Sequence, residues 1–223
     1  CFPNSYTVNK PIADIFKQKY HIDFEVIQNI ARYDSTTNVN NQREKIILYQ
    51  GAVNEGRCFE TLIPAIKEMD CKLIICGDGN FMKQLKQLII DYQVGSKVTL
   101  LGKIEPSELK TITGNALIGI TLFEAESTNN YLSLANRFFD YLHAGTPQIC
   151  MNYPAYHSIN AQHEVALLID SPTTENIRAG LNKLLNDATL WNRLHENCIK
   201  AAPVLCWQEE EKKLISFYHK HLG

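Results

Sequence analysis

"KIILYQGAVNEGRCFETLIPAIKEMDCKLIICGDG", residues 45–79, sets a short apolar run, a glycine-bearing loop, an amphipathic stretch and a second apolar run in succession. Apolar and β-branched side chains at consecutive rather than alternate positions suit strands covered on both faces, as in a parallel sheet. Two parallel strands need a crossover of a dozen or more residues, usually a helix. The spacing therefore predicts strands over 45–50 and 72–76 with a helix over 58–69 between them. Pro64 inside that helix predicts a kink or a delayed start.

The same alternation continues outward. Further strands are predicted over 97–101, 116–122, 147–151 and 165–169, and helices near 80–93, 105–113, 134–144 and 154–163. Gly77-Asp78-Gly79 and Gly102 end strands as tight β-to-α turns do. Pro106-Ser107-Glu108 and Ser171-Pro172-Thr173 read as helix starts. The expected fold class is α/β, a doubly wound, Rossmann-like parallel sheet of about six strands. After residue 170 three helical patterns remain, near 173–186, 188–202 and 206–222. Residues 1–44 differ: a strand end (SYTV), a helix (PIADIFKQKYH), a short strand (FEVIQ), then "RYDSTTNVNNQRE", which has the composition of a linker. The expected organisation is the tail of a preceding domain plus linker over 1–44, a Rossmann-like domain over 45–205, and a last helix over 206–223 docking back onto that tail.

Composition narrows the function classes. At 45% hydrophobic and 21% charged residues the chain reads as a globular protein. A formal charge of −2 gives no electrostatic reason to expect nucleic acid as a partner. No apolar run approaches the roughly 18 to 20 residues that span a bilayer. The chain opens on Cys1 without a signal peptide, which suggests an excised piece. None of the seven cysteines forms a C-x-x-C or pairs with histidine at zinc spacing, so they read as buried, reduced thiols of a cytoplasmic protein. His143, His157 and His163 lack metal spacing too, and no metal is expected.

In such sheets ligands bind beyond the carboxyl ends of the strands. The loops there are "QGAVNEGRC", "CGDGN", "GKIEPS" and "FEAESTNNYLSL", and Gly51, Gly77 and Gly79 would let a ligand approach the backbone. Arg57 falls where the first helix begins, a place that suits a cation only if both it and the helix end act on one anion such as a phosphate; otherwise it is a solvated surface arginine. The backbone N–H groups near Ser133 to Asn136 form a second anion cradle, or Ser133 merely caps the following helix. Asn136 and Asp140 stack on one helical face while Leu134, Phe138 and Leu142 point inward. Asp140 suits a ribose diol, with a partnership to Arg137 or a lysine as the alternative. No G-x-G-x-x-G, P-loop, H-E-x-x-H or G-x-S-x-G is present, which argues against NAD binding and these hydrolytic chemistries.

"YQGAVNEGRCFETLIPAI", "KLIICGDGNFMKQL", "KVTLLGKIEPSELK" and "NRFFDYLHAGTPQI" follow one another in the order seen in the nucleotide-sugar glycosyltransferases of family 4. The chain resembles that family across about 45–220, and "VNKPIADIFKQKY" with "FEVIQNI" resembles the end of its first domain. The resemblance implies the second half of a GT-B fold, binding a UDP- or GDP-sugar as donor, with no cofactor and retention of anomeric configuration. Carried over position by position, it implies that Arg57 grips the diphosphate beside Gly51 and Ala52, and that Asp140 holds the ribose. Lys103 and Ile104 would meet the base through their backbone, and Glu124, Asn130, Ser133, Leu134 and Asn136 would lie around the donor sugar and phosphates. Ala52 stands where many relatives carry an arginine, Asp140 where a glutamate is usual, and Leu132 where a paired acid is usual, with Glu124 or Glu126 as stand-ins.

The implied function is sugar transfer to a glycan or lipid-linked acceptor in surface polysaccharide synthesis, the acceptor being bound by a domain missing from this chain. The piece alone would then be inactive. Peripheral association of the full-length protein with the inner face of the membrane stays open. Two alternatives are a non-catalytic scaffold domain of the same fold, which Ala52 and Leu132 favour, and a nucleotide-sugar 2-epimerase, for which no acid/base pair is evident.

Overall fold

The structure, a computed structural model, describes residues 4–34, 43–125 and 127–222. Cys1, Glu126 and most of the polar linker stretch lie outside the described residues. Near the start, β1 (Ser5–Thr7) and β2 (Phe24–Val26) pair in parallel around α1 (Lys10–Tyr20). Asn9 opens α1, its side-chain oxygen accepting from the Ile12 N–H at 3.0 Å, and Pro11 sits in the first turn, where its missing donor is harmless.

From β3 (Glu44–Gln50) onward the chain alternates as its apolar runs predict. The elements are α2 (Phe59–Ala65), β4 (Lys72–Cys76), α3 (Met82–Asp91), β5 (Val98–Gly102), α4 (Pro106–Asn115), β6 (Ala116–Thr121), α5 (Thr128–Leu132), α6 (Asn136–His143), β7 (Gln148–Met151), α7 (Pro154–His163), β8 (Ala166–Ile169), α8 (Thr174–Asn186), α9 (Ala188–Ala201) and α10 (Trp207–Leu222). The six strands β3–β8 form one sheet in the order β5-β4-β3-β6-β7-β8, every neighbouring pair parallel. This is the doubly wound, Rossmann-like arrangement, and its strand order reverses between β3 and β6. Ile47, Leu48 and Tyr49 are all fully buried. Ile47 and Tyr49 join the larger core while Leu48 joins a smaller cluster with Cys76, Ala116 and Tyr141, so both faces of β3 are covered.

Two local expectations are corrected. The helix expected over 58–69 runs from Phe59 to Ala65, so Pro64 falls in its last turn and does not delay its start. Proline offers no N–H to the carbonyl one turn back, so the helix ends just beyond it, and Lys67 and Met69 continue in tighter turns by donating to the carbonyls of Pro64 and Ile66. The helix expected from residue 134 begins at Asn136, and the loop before it contains α5, whose N-cap is Ser127 accepting from the Asn130 N–H at 3.2 Å.

At the other end, α10 lies against the segment that follows β2. Glu210, only 2% exposed, accepts from the Gln28 N–H at 2.8 Å, Lys220 pairs with Glu25 at 2.9 Å and Arg32 with Glu211 at 3.0 Å.

Candidate functional site

At the reversal of strand order the loops after β3, β4 and β5 are locked together by their backbones. The Gly51 N–H donates to the Cys76 carbonyl at 2.9 Å, the Gly77 N–H to Gly102 at 2.6 Å, and the Val53 N–H to Asp78 at 3.0 Å. Gly51 and Gly77 have φ of 124° and 146°, which favour glycine. A side chain on Gly77 would collide with the Gly51 carbonyl, and one on Gly79 with the Val53 carbonyl. Loop-on-loop packing alone therefore requires glycine at 77 and 79. Ala52 is exposed beside them and carries no charge.

Asp140 comes to this place from α6. Its Oδ2 accepts from Gln50 Nε2 at 2.9 Å, and Oδ1 has no hydrogen-bond partner among the described residues. Burial pushes the Asp140 carboxyl above its usual value, opposed by the Gln50 hydrogen bond and by the positive charges of Arg137 and Lys110. Asp140 thus partners an amide rather than an arginine or lysine. Its neighbour Arg137, 9% exposed, lies over the Tyr49 ring at 4.7 Å and donates to the Gln50 carbonyl at 3.1 Å. Asp140, Gln50 and Leu109 line two recesses. One is a groove of about 280 Å³ between α4 and α6 that also takes in Pro106, Thr113 and His143. The other is an open cleft of about 290 Å³ bordered by Gly51, Ala135, Asn136 and Arg137. His143 serves structure: its Nε2 stands 2.8 Å from the Leu205 carbonyl and its ring tilts against Tyr33.

Arg57 precedes α2, its guanidinium 5.7 Å above the Phe123 ring. The Arg57 Nε is buried without a hydrogen-bond partner among the described residues. Glu124 lies alongside, its N–H donating to the Gly56 carbonyl at 3.0 Å. Ser133 does not cap α6. Its hydroxyl donates to the Asn130 carbonyl at 3.1 Å, and the residue preceding α6 is Ala135, whose N–H is taken by the Tyr156 hydroxyl at 2.8 Å. Asn136 is exposed at the start of α6, and Leu134 packs partly against the core. Lys103 is exposed, and Ile104 packs with Leu48 and Tyr141 in the smaller cluster. The residues lining the candidate site that sequence reasoning missed are Gln50 and Thr113. Gln50 had one signal, a polar side chain closing an apolar strand.

The family model for glycosyl transferases group 1 matches residues 34–204, most of the chain. The chain belongs to that family. A search of curated protein sequences returned no match. Among solved structures, this group 1 glycosyl transferase chain is similar to S. aureus TarM, solved in complex with UDP, at 10% identity and a TM-score of 0.78, covering 96% of this chain and 44% of TarM. It is similar to the pneumococcal O-GlcNAc transferase GtfA, solved with UDP and GlcNAc, at 14% identity and TM-score 0.78, covering 97% and 45%. For Anabaena HepE, solved with UDP and glucose, the figures are 13%, 0.75, 96% and 63%. The chain thus spans less than two thirds of each of these structures. Among the described residues of this family member, no cluster of three or more His, Cys, Asp or Glu could hold a metal, and no helix is long and apolar enough to cross a membrane.

Proposed function

We propose that this chain is the donor-binding part of a retaining glycosyltransferase, taking a nucleoside diphosphate sugar with UDP or GDP as the nucleotide. The observation that carries this reading is the Asp140 carboxylate at the reversal of strand order, one oxygen held by Gln50 and the other without a hydrogen-bond partner among the described residues. A carboxylate in that position accepts from a ribose diol as the acidic residue of dinucleotide-binding folds does. Arg57 binds the diphosphate and stabilises it as it departs with the bonding electrons of the sugar. Its buried Nε, without a hydrogen-bond partner among the described residues, supports that role, because an anion supplies an acceptor. Catalysis in this scheme comes from positioning and charge stabilisation, with no fixed protein nucleophile.

Residues 1–44 close a preceding domain that binds the glycan or lipid-linked acceptor, and the chain without that domain transfers no sugar. The complete protein works in the cytoplasm, at the inner face of the membrane. Isothermal titration of the folded chain with UDP, GDP and their sugars tests donor binding: micromolar-range binding of one nucleotide series is expected, and no binding by any overturns the reading. A second reading, a scaffold domain without catalysis, is favoured by the uncharged Ala52. Loss of transfer by the full-length protein on Arg57→Ala excludes it.

A further inference from the structure

A line of buried polar groups runs beneath Asp140. Gln50 donates through Nε2 to Asp140 Oδ2 at 2.9 Å, and its Oε1 faces the Thr113 hydroxyl at 2.8 Å. That hydroxyl also stands 2.7 Å from the Leu109 carbonyl. The Thr113 carbonyl accepts from the Thr146 hydroxyl at 2.9 Å, and Thr146 Oγ1 accepts from Arg43 Nη1 at 2.6 Å. Gln50, Thr113 and Thr146 are all at most 3% exposed. The groups come from the residue before β3, the end of β3, α4, α6 and the turn before β7, segments brought together only by the fold.

The chemistry fixes the direction of this line. An ionised carboxylate only accepts, so the Gln50 nitrogen must face Asp140 and its oxygen must face Thr113. The Thr113 hydroxyl has one proton and two acceptor oxygens in reach, so it points either to Gln50 Oε1 or to the Leu109 carbonyl. Ile47 and Leu48 in β3 are fully buried and apolar, and a buried amide at the end of that strand costs stability unless both its ends are satisfied. The sheet needs no amide here; Asp140 does.

We propose that Gln50 is the positioning residue of the ribose site. Aimed by Thr113, it holds Asp140 in one rotamer with Oδ1 presented to the sugar hydroxyls. This rests on the reading of Asp140 as the ribose ligand. Gln50 acts through Asp140 and has no contact of its own with reacting atoms.

The test compares UDP and GDP with their 2′,3′-dideoxy counterparts by titration calorimetry on the wild type, Gln50→Leu and Thr113→Val. The wild type is expected to prefer the ribonucleotide. Gln50→Leu is expected to weaken ribonucleotide binding about tenfold while changing dideoxynucleotide binding less than about twofold, the loss typical of a hydrogen bond to a charged group. Thr113→Val should shift the same ratio in the same direction by a smaller factor, and it carries the test if Gln50→Leu does not fold. An equal loss for both nucleotide types, or no loss, overturns the positioning role while leaving donor binding intact. A wild type that binds both types equally removes the ribose role of Asp140, and one that binds neither removes the donor-site reading; the positioning role falls with either.

Discussion

A Cβ on Gly119 would stand 2.5 Å from the ring of Tyr141. The bare backbone of β6 therefore lets that ring lie flat on the strand, and the Tyr141 hydroxyl reaches across to the Leu48 carbonyl at 2.8 Å. Tyr141 follows Asp140, so this contact sets the height of α6 above the sheet. Gly119→Ala is expected to destabilise the fold by about 1–3 kcal/mol through overpacking. Urea unfolding should show a lower midpoint at unchanged slope. Because α6 must lift, nucleotide binding should weaken as well.

Asp140→Asn should stabilise the protein at pH 7 while abolishing the ribose contact. Burial raises the folded-state value of the Asp140 carboxyl, against Arg137 on the same helix, Lys110 from α4 and the Gln50 amide, all of which favour the ionised form. A raised folded value means that the folded chain keeps its proton longer than the unfolded chain. The stability associated with the neutral acid is complete below the unfolded value of about 3.9 and is lost as pH rises through the folded value. The variant has no such loss. Its melting temperature should match the wild type near pH 3.5 and exceed it at pH 7; a variant less stable than wild type at pH 7 would contradict the assignment.

Arg57→Ala should cost little stability, because among the described residues the Arg57 Nε makes no hydrogen bond and the ring contact with Phe123 is what the substitution removes. A charge-assisted contact to phosphate contributes about 1.5–3 kcal/mol. Titration should show a loss of about tenfold or more for UDP or GDP and no change for the matching nucleoside. Equal weakening of nucleoside and nucleotide would place Arg57 elsewhere than on the diphosphate.

The six described cysteines are free and buried. Desolvation pushes the thiols of Cys58 and Cys198 up to about 12 and that of Cys76 to about 11, so little reactive thiolate forms at neutral pH. A thiol reagent at pH 7.5 should label none of the six within minutes in the native state and all of them in denaturant. Rapid native labelling at any of these positions would show local opening.

The sheet was legible because its strands are short runs of consecutive apolar residues, a pattern that burial on both faces imposes and that needs no tertiary information. The start of α6 was less so. The few apolar residues of "STNNYLSLAN" do not separate one helix from two, and α5 is fixed by the Ser127 cap and by Asn9, which donates to the Leu132 carbonyl at 2.7 Å from 123 residues away. Asp140 could be singled out as a carboxylate on an amphipathic face. Gln50 could not be joined to it, since 90 residues separate them and only the parallel crossover closes the gap. Glycines 77 and 79 could be tied to the ligand-binding end of the sheet, but their collision with the neighbouring loop appears only when β3 and β4 lie side by side.

The docking of α10 gives the small β1–β2 unit two connections to the large sheet. The chain comes back to that unit between Ala201 and Trp207, where the Trp207 N–H is held by the Ala31 carbonyl at 3.1 Å. The last helix thus works as a clasp, with Glu210 and Gln28 as its catch, fastening the end of the chain to its leading segment.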